Sequence, residues 1–413
     1  MSEIADIEME GHLIDSLILT KVLDKIMDMG GEFEIKSFSI GQRKNDTSHV
    51  QITVGGEDAG HLDRILLELN ALGARLAEMD DAKIAVAPGD MVVPRGFYST
   101  TNHPTYVRHQ GSWTAVENIH MDCLVILKED RAFCTPIGHI RKGDPVVVGT
   151  SGVKVVPPER PRQKTLFGFM SNQVSSERPS GELVRQLAAE ITSTKDAGGK
   201  IAVVCGPAVI HTGAAPALSR MISQGYVDVL LAGNAVAVHD IERQLFGTSL
   251  GMDSSGNAIS GGHRNHLYAI SEIMASGSIR KAVEDGKIRG GIMYECLKKG
   301  VPFVLAGSIR DDGPLPEVIT DTMKAKDAME EALRGVDMTI MLGTMLHSIA
   351  VGNLLPSFVK TICLDINPAT VTKLMDRGSA QAIGLVTDIG TFLPQLAEEI
   401  ERQRSEKGSI RNS

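Results

Sequence analysis

Several features that would narrow the function are missing from this chain of 413 residues. No apolar run reaches the ~18 residues that span a bilayer. The opening MSEIADIEME is acidic rather than signal-like, so neither membrane insertion nor secretion is expected. No block of Lys or Arg interrupts a net charge of −9, which argues against nucleic acid as a partner. The cysteines (Cys123, Cys134, Cys205, Cys296, Cys363) are odd in number and scattered, with no C-x-x-C pair. A disulfide framework or zinc knuckle is therefore not expected, and the chain reads as a reduced, cytoplasmic protein without a metal centre. Aromatic residues are scarce, and the G-x-G-x-x-G fingerprint of dinucleotide-binding loops is absent. Glycine, by contrast, is abundant and clusters at strand ends, which favours an α/β architecture.

What is present falls into three stretches. Residues 1–85 read as one α+β unit. ADIEMEG alternates as a strand, and Leu19, Val22, Leu23 and Ile26 recur on one helix face, ended by Gly30-Gly31. EFEIKSFSIG and SHVQITVGG are strands, the first changing phase near Lys36 as a bulge does. Leu62, Ile65, Leu66 and Leu69 mark a second helix stopped by Gly73, and AKIAVAP closes the unit as its last strand. The order β-α-β-β-α-β is that of a ferredoxin-like domain. Residues 86–165 change to short strands between Gly, Pro and Asp turns, a small β-rich module ending in the Pro-rich linker VVPPERPRQK. From 166 to 405 strand and helix alternate. Ser180 is a candidate cap for a helix carrying Leu183, Val184, Leu187 and Ile191. KIAVVCG, VDVLLAG, PFVLAGS, MTIMLGT, TICLDIN and AIGLVTD are continuously apolar, as strands of a parallel sheet covered on both faces are. That predicts a Rossmann-like, doubly wound domain, followed by a frayed tail over 406–413.

In such a sheet, ligands bind beyond the carboxyl ends of the strands. After MTIMLG, Thr344 precedes a helix opening at Met345, Leu346 and His347. The first amides of that helix lack intrahelical partners and can hold phosphate without three glycines, although an ordinary capped helix fits the same residues. Asp365 is placed for a ribose diol, which favours NAD over NADP, or is a turn aspartate. Asn234 is a candidate helix cap, Ala235 permits close approach of a ligand, and His239, Asp240 and Glu242 read as a solvated helix face. GGHRNHLYAI concentrates His263, Arg264, Asn265 and His266; a substrate loop, with Arg264 for a carboxylate, is preferred to a zinc site. In AGSIRDDGPLP, Pro314 and Pro316 block a helix and hold Arg310, Asp311 and Asp312 in a loop, where adjacent carboxylates suit cation recognition or proton transfer. Glu295 lies among apolar helical residues as a candidate half-buried acid, and Cys205 reads as a core thiol.

GYVDVLLAGNAVAVHDIE, GTSLG, GGHRNHLYAI, FVLAGSIRDDGPLP, MLGTMLHSIAVGNLLP, LDINPATVTKLMDRGS and GLVTDIG together resemble the archaeal-type ornithine cyclodeaminase family. GFYSTTNHPT, MDC and GVKVVPPERPR extend the resemblance over the N-terminal half. This family is similar to the C-terminal portion of cyanobacterial arginine-guanidine-removing enzymes, and was formerly labelled after lysine-oxoglutarate reductase/saccharopine dehydrogenase. The resemblance implies a nucleotide domain like that of deoxyhypusine synthases and sirtuins, which dispenses with the glycine fingerprint. It implies NAD contacts at Asn234, Ala235, Asp312, Thr344, Met345, Leu346, His347, Asp365, Asp388 and Ile389. The implied reaction turns L-ornithine into L-proline and ammonia, NAD taking a hydride from the α-carbon and returning it to the cyclic imine. Proton transfer then falls to Asp312 or Glu295, the α-carboxylate to Arg264 or Arg310, and auxiliary acid/base work to His263 or His266. Rival readings are an NAD-dependent amino-acid or opine-type dehydrogenase, an NAD-using transferase or deacylase, and a non-enzymatic NAD or amino-acid sensor. Exposed sheet edges lead us to expect a homodimer or homotetramer.

Overall fold

The structure is a computed structural model that describes residues 3–14, 17–41, 46–77, 80–157, 180–252, 259, 262–376 and 382–411. Most of the linker VVPPERPRQK lies outside the described residues. The chain divides into two compact units, Met1–Arg162 with Leu355–Phe358, and Gln163–Leu354 with Val359–Ser413.

In the first unit, β1 (Glu3–Gly11), β2 (Glu32–Ser39), β3 (Ser48–Gly56) and β4 (Arg75–Leu76) form an antiparallel sheet in the order β2-β3-β1-β4. The helices Ile18–Asp28 and Ala59–Ala71 bury the predicted stripes, with Val22, Ile26, Leu62, Ile65, Leu66 and Leu69 packing on Ile7, Val50, Ile52 and Val54. The β2–β3 register slips between Ile35 and Ser37, so Lys36 is the extra residue that the phase change indicates. One expectation fails. AKIAVAP does not close this sheet: Lys83–Val86 is β5, the edge of a second sheet, where it pairs with Pro145–Val148. The true closing strand, β4, is two residues long and too short to show alternation.

The second sheet is seven-stranded and mixed, in the order β11-β6-β7-β9-β8-β10-β5. It adds β6 (Thr105–His109), β7 (Ser112–Glu117), β8 (Leu124–Lys128), β9 (Arg131–Thr135), β10 (Pro145–Val148) and β11 (Val153–Val155). Every pairing is antiparallel except β7 with β9.

The second unit carries seven parallel strands: β12 (Ile201–Cys205), β13 (Val229–Gly233), β14 (Phe303–Ala306), β15 (Val318–Ile319), β16 (Met338–Leu342), β17 (Lys360–Asp365) and β18 (Ala382–Val386). Their order is β15-β14-β13-β12-β16-β17-β18. The chain steps outward from β12 to β15, then returns to lay β16 on the other side of β12. Strand order therefore reverses between β12 and β16, which fixes where a ligand crevice opens. Helix Ser180–Asp196 buries Leu183, Val184, Leu187 and Ile191. It packs on the last helix, Ile389–Arg411, which runs past residue 406, where a frayed tail is expected from sequence. Among the described residues, no helix is long and apolar enough to cross a membrane.

Asp240, expected on a solvated face, is fully buried in helix Asn234–Phe246. Its two carboxylate oxygens accept from the amides of Ile292 (3.0 Å) and Met293 (2.9 Å), buried donors without intrahelical partners at the start of helix Ile292–Lys299. Asp240→Ala strips both amides of their partner and is expected to lower the unfolding free energy by about 2–4 kcal/mol, read as a lower urea midpoint. Burial pushes the Asp240 carboxyl up to about 6, against the backbone bonds from Met293 and Ile292 that pull it down. The folded chain then binds this proton more tightly than the unfolded one, so the stabilisation from Asp240 shrinks as pH rises from 3.8 to about 6. Urea midpoints of the wild type and Asp240→Ala across that window test the sign.

Candidate active site

The carboxyl edge of the parallel sheet gathers all the predicted cofactor positions. Asn234 and Ala235 follow β13, Asp312 lies beyond β14, and Thr344, Met345, Leu346 and His347 follow β16. Asp365 closes β17, and Asp388 and Ile389 follow β18. At the reversal, the Gly206 amide donates to the Leu342 carbonyl and the Gly343 amide to the Leu364 carbonyl, each at 2.9 Å. Gly343 has φ of 59°, in the left-handed region that favours glycine. A Cβ there would sit 2.7 Å from Ile389 Cδ1 and 2.8 Å from Ala208 Cβ, and a Cβ on Gly206 would strike the Gly343 carbonyl. The close backbone approach that a glycine fingerprint arranges within one loop is made here by two separate strands.

Helix Met345–Leu354 starts at this point, with the Thr344 carbonyl accepting the Ser348 amide at 3.3 Å. The amides of Met345 to His347 stand at its first turn, where intrahelical partners are lacking. His347 is half-buried, its Cε1 2.9 Å from where a Cβ on Gly233 would lie, and burial lowers its pKa. Asp365 is buried, and its Oδ1 accepts from the Asn367 amide at 2.8 Å. Asp388 caps the last helix, its Oδ2 accepting from the Thr391 amide (3.0 Å) and hydroxyl (2.8 Å), while Ile389 is buried against Gly343. Asn234 does not cap its helix; Gly233 holds that position. The Asn234 side chain instead donates to the Gly313 carbonyl and accepts from the Leu315 amide, each at 3.1 Å, so it staples the loop that carries Asp312.

Within that loop Asp311 turns inward, accepting the Ser308 amide at 2.7 Å. Asp312 is exposed, and its Oδ2 lies 3.1 Å from His266 Nε2. Of the candidate catalytic residues, these two are brought together. Arg264 and Arg310 are exposed nearby in sequence, and the His263 side chain lies outside the described residues. Glu295 is half-buried in helix Ile292–Lys299, with Oε2 shielded from solvent and lacking a hydrogen-bond partner among the described residues. Cys205 is a core thiol, pushed up to about 12 by burial and by Asp240.

Sequence reasoning missed what lies behind His266. Glu242, read as solvated, has 0% exposure. Its carboxylate receives His239 Nδ1 (2.9 Å), the Thr248 hydroxyl (2.8 Å) and the amides of Leu250 and Gly251 (3.2 Å each). Burial raises its pKa, but the bonds from His239, Thr248 and Gly251 outweigh that and leave it below the usual carboxylate value. Ring centroids step 4.9 Å from His211 to His239 and 6.3 Å from His239 to His266, so three imidazoles lead toward Asp312. His211 Nδ1 lies 2.8 Å from the Ser249 hydroxyl, and Asn265 donates to Thr248 at 2.9 Å. The i, i+3 spacing of His239 and Glu242, with the polar run GTSLG close behind, was the available signal.

The chain matches "Arginine dihydrolase ArgZ-like, C-terminal, Rossmann fold" over residues 185–396 and "Arginine dihydrolase ArgZ-like, C-terminal, first region" over 104–184. Residues 4–103 match "LOR/SDH bifunctional enzyme conserved region". The chain is 60% identical over 397 residues to an ornithine cyclodeaminase of Archaeoglobus fulgidus, covering 96% of this chain and 98% of that one. It belongs to the archaeal ornithine cyclodeaminase family. Among solved structures it resembles ArgZ, a cyanobacterial arginine dihydrolase, with TM-score 0.86, 40% identity and coverage of 98% of this chain and 59% of that one. It also resembles AgrE, solved in ternary complex with ornithine and NAD+, with TM-score 0.54, 43% identity and coverage of 98% and 58%. The ornithine cyclodeaminase family chain thus spans a little over half of each of those longer proteins.

The glycine contact at the reversal is testable by substitution. Gly206→Ala is expected to destabilise this family member by about 1–3 kcal/mol, because the clash is with backbone that cannot rotate away. Gly181, in a helix with nothing near its Cβ position among the described residues, serves as control. Gly181→Ala is expected to be neutral or to add about 0.5–1 kcal/mol. Thermal unfolding of both variants reads the contrast.

Proposed function

We propose that this chain is an ornithine cyclodeaminase that converts L-ornithine to L-proline and ammonia with NAD as a resident cofactor. The observation that carries the reading is the His266–Asp312 pair, on the same sheet edge as the Gly206–Gly343 reversal, in a chain that matches ornithine cyclodeaminases over nearly its whole length. This edge fits a dinucleotide: a reversal of strand order, a helix start for the pyrophosphate, and a buried acid at the end of the next strand. In this reading the Met345 to His347 amides hold phosphate, Asp365 holds the ribose hydroxyls, and Ala235 and the start of the Asp388–Ile389 helix line the site. NAD+ bound there supplies a hydride acceptor that gives the hydride back within the same turnover, so the net redox change is zero.

The residues handle charge and protons. The α-ammonium must shed a proton before its carbon can become an imine. His266, oriented by Asp312, is the base placed to take that proton, and it returns it to the departing ammonia. Arg264 or Arg310 pairs with the α-carboxylate. Glu295, whose buried Oε2 lacks a partner among the described residues, is the second candidate for proton transfer, and His263 an auxiliary one. The same proposal includes a ferredoxin-like N-terminal unit, a nucleotide domain of the deoxyhypusine synthase and sirtuin kind, and a cytoplasmic homo-oligomer. An edge strand, β2, that exposes Phe33 and Ile35 supports the last of these.

The purified chain with NAD is expected to release proline and ammonia in equal amounts from ornithine, without accumulating NADH. His266→Gln and Asp312→Asn are each expected to lower kcat by about 10²-fold or more with a smaller change in KM. Ornithine left unconverted sinks the proposal, and accumulation of NADH with a keto acid favours the dehydrogenase reading.

A further inference from the structure

The first unit holds a cluster that ornithine chemistry does not use. His120, Cys123 and Cys134 are all buried, and one ligand atom from each lies within 4.8 Å of the others. They arrive from three places in the mixed sheet: His120 from the loop after β7, Cys123 from the residue before β8, and Cys134 from β9. Cys123 Sγ lies 3.2 Å from His120 Nδ1. Cys134 Sγ accepts the His120 amide at 3.5 Å and lies 3.7 Å from Thr100 Oγ1.

The loop between them is shaped for this meeting. Asn118 and Asp122 take φ of 55° and 60°, left-handed conformations that are rare outside glycine and that bracket the turn. The Thr100 hydroxyl pins both ends, donating to the His120 carbonyl at 2.7 Å and accepting the Cys123 amide at 3.0 Å. Around the cluster the core is aliphatic, with Val107, Val116, Val125, Leu127 and Val147. Two sulfurs and an imidazole with no carboxylate among them are a soft donor set, suited to zinc and not to magnesium or calcium. Donors on one tetrahedral zinc stand roughly 3.3–3.8 Å apart, given bonds of ~2.3 Å to sulfur and ~2.0 Å to nitrogen. The cluster is already nearly that compact.

We propose that His120, Cys123 and Cys134 bind one zinc(II) ion, with the fourth position left to a non-protein ligand. Both thiols release their protons to solvent on binding, and no electron changes hands. The ion ties the turn at 118–123 to β9 and so adds to the first unit a stability that grows with the logarithm of free zinc once the site is filled.

The test uses the reduced full-length chain. Elemental analysis of the protein as purified is expected to find one zinc per chain. Titration of the metal-depleted chain with Co2+ is expected to raise a thiolate-to-cobalt charge-transfer band that saturates at one equivalent and is displaced by Zn2+. Cys123→Ser and Cys134→Ser are each expected to weaken Co2+ binding by about 100-fold or more, while Cys363→Ser, a core cysteine of the parallel sheet, leaves it unchanged. Absence of both bound zinc and a cobalt band in the wild type overturns the proposal, whatever the folding of the variants. So does a band that survives intact in both folded serine variants, or a Cys123–Cys134 disulfide in a chain that binds neither ion.

Discussion

The second unit depends on how closely two strands can run together where the sheet changes direction. β12 and β16 pair rung by rung from Ile201 with Met338 to Cys205 with Leu342, and both then meet a glycine. Past that rung the two chains must part to opposite sides, one toward Ala208 and the other into helix Met345–Leu354. A side chain at either glycine would fall on backbone or on the tightly packed Ile389 and Ala208. Close packing leaves no slack to absorb that, and in an open α/β sheet such a reversal of strand order is where ligands bind.

A second dependence runs through Glu242. A carboxylate without water is costly, and the cost is met by four donors drawn from its own helix and from the loop Thr248–Gly251. That loop in turn fixes Asn265 through Thr248, and Asn265 opens the helix that carries His266. The His266–Asp312 geometry is therefore inherited from a buried anion two steps away, while Asn234, at the helix start after β13, holds the loop that carries Asp312. Residues outside the pair thus fix where His266 and Asp312 stand.

Much of this was readable in the sequence. Helical stripes at Leu62, Ile65, Leu66 and Leu69, the phase slip at Lys36 and the unbroken apolar strands of the second unit are local signals, and local signals survive into structure. Strand-end logic put the cofactor candidates on one edge because parallel topology leaves them nowhere else. What stayed hidden depended on contacts distant in sequence or on very short elements. Arg75–Leu76 is too short for alternation to show, so AKIAVAP was the more visible strand. Glu242 and Asp240 look like ordinary exposed acids until the loop at 248–251 and the amides at 292 and 293 fold over them. The spacing of His120, Cys123 and Cys134 matches no familiar pattern, and only the left-handed turn between the first two brings their side chains together.

The staple made by Asn234 is also a chemical liability. Its amide gives a hydrogen to the Gly313 carbonyl and takes one from the Leu315 amide, so both of its ends are read. Aspartate has the same shape but no hydrogen to give, and would set a negative oxygen against that carbonyl. Spontaneous deamidation at this one side chain would therefore unhook the Asp312 loop without altering a single carbon of the chain. Burial within a helix keeps water and the flexible backbone that deamidation needs away from Asn234, which makes the fold the guardian of its own molecular clock.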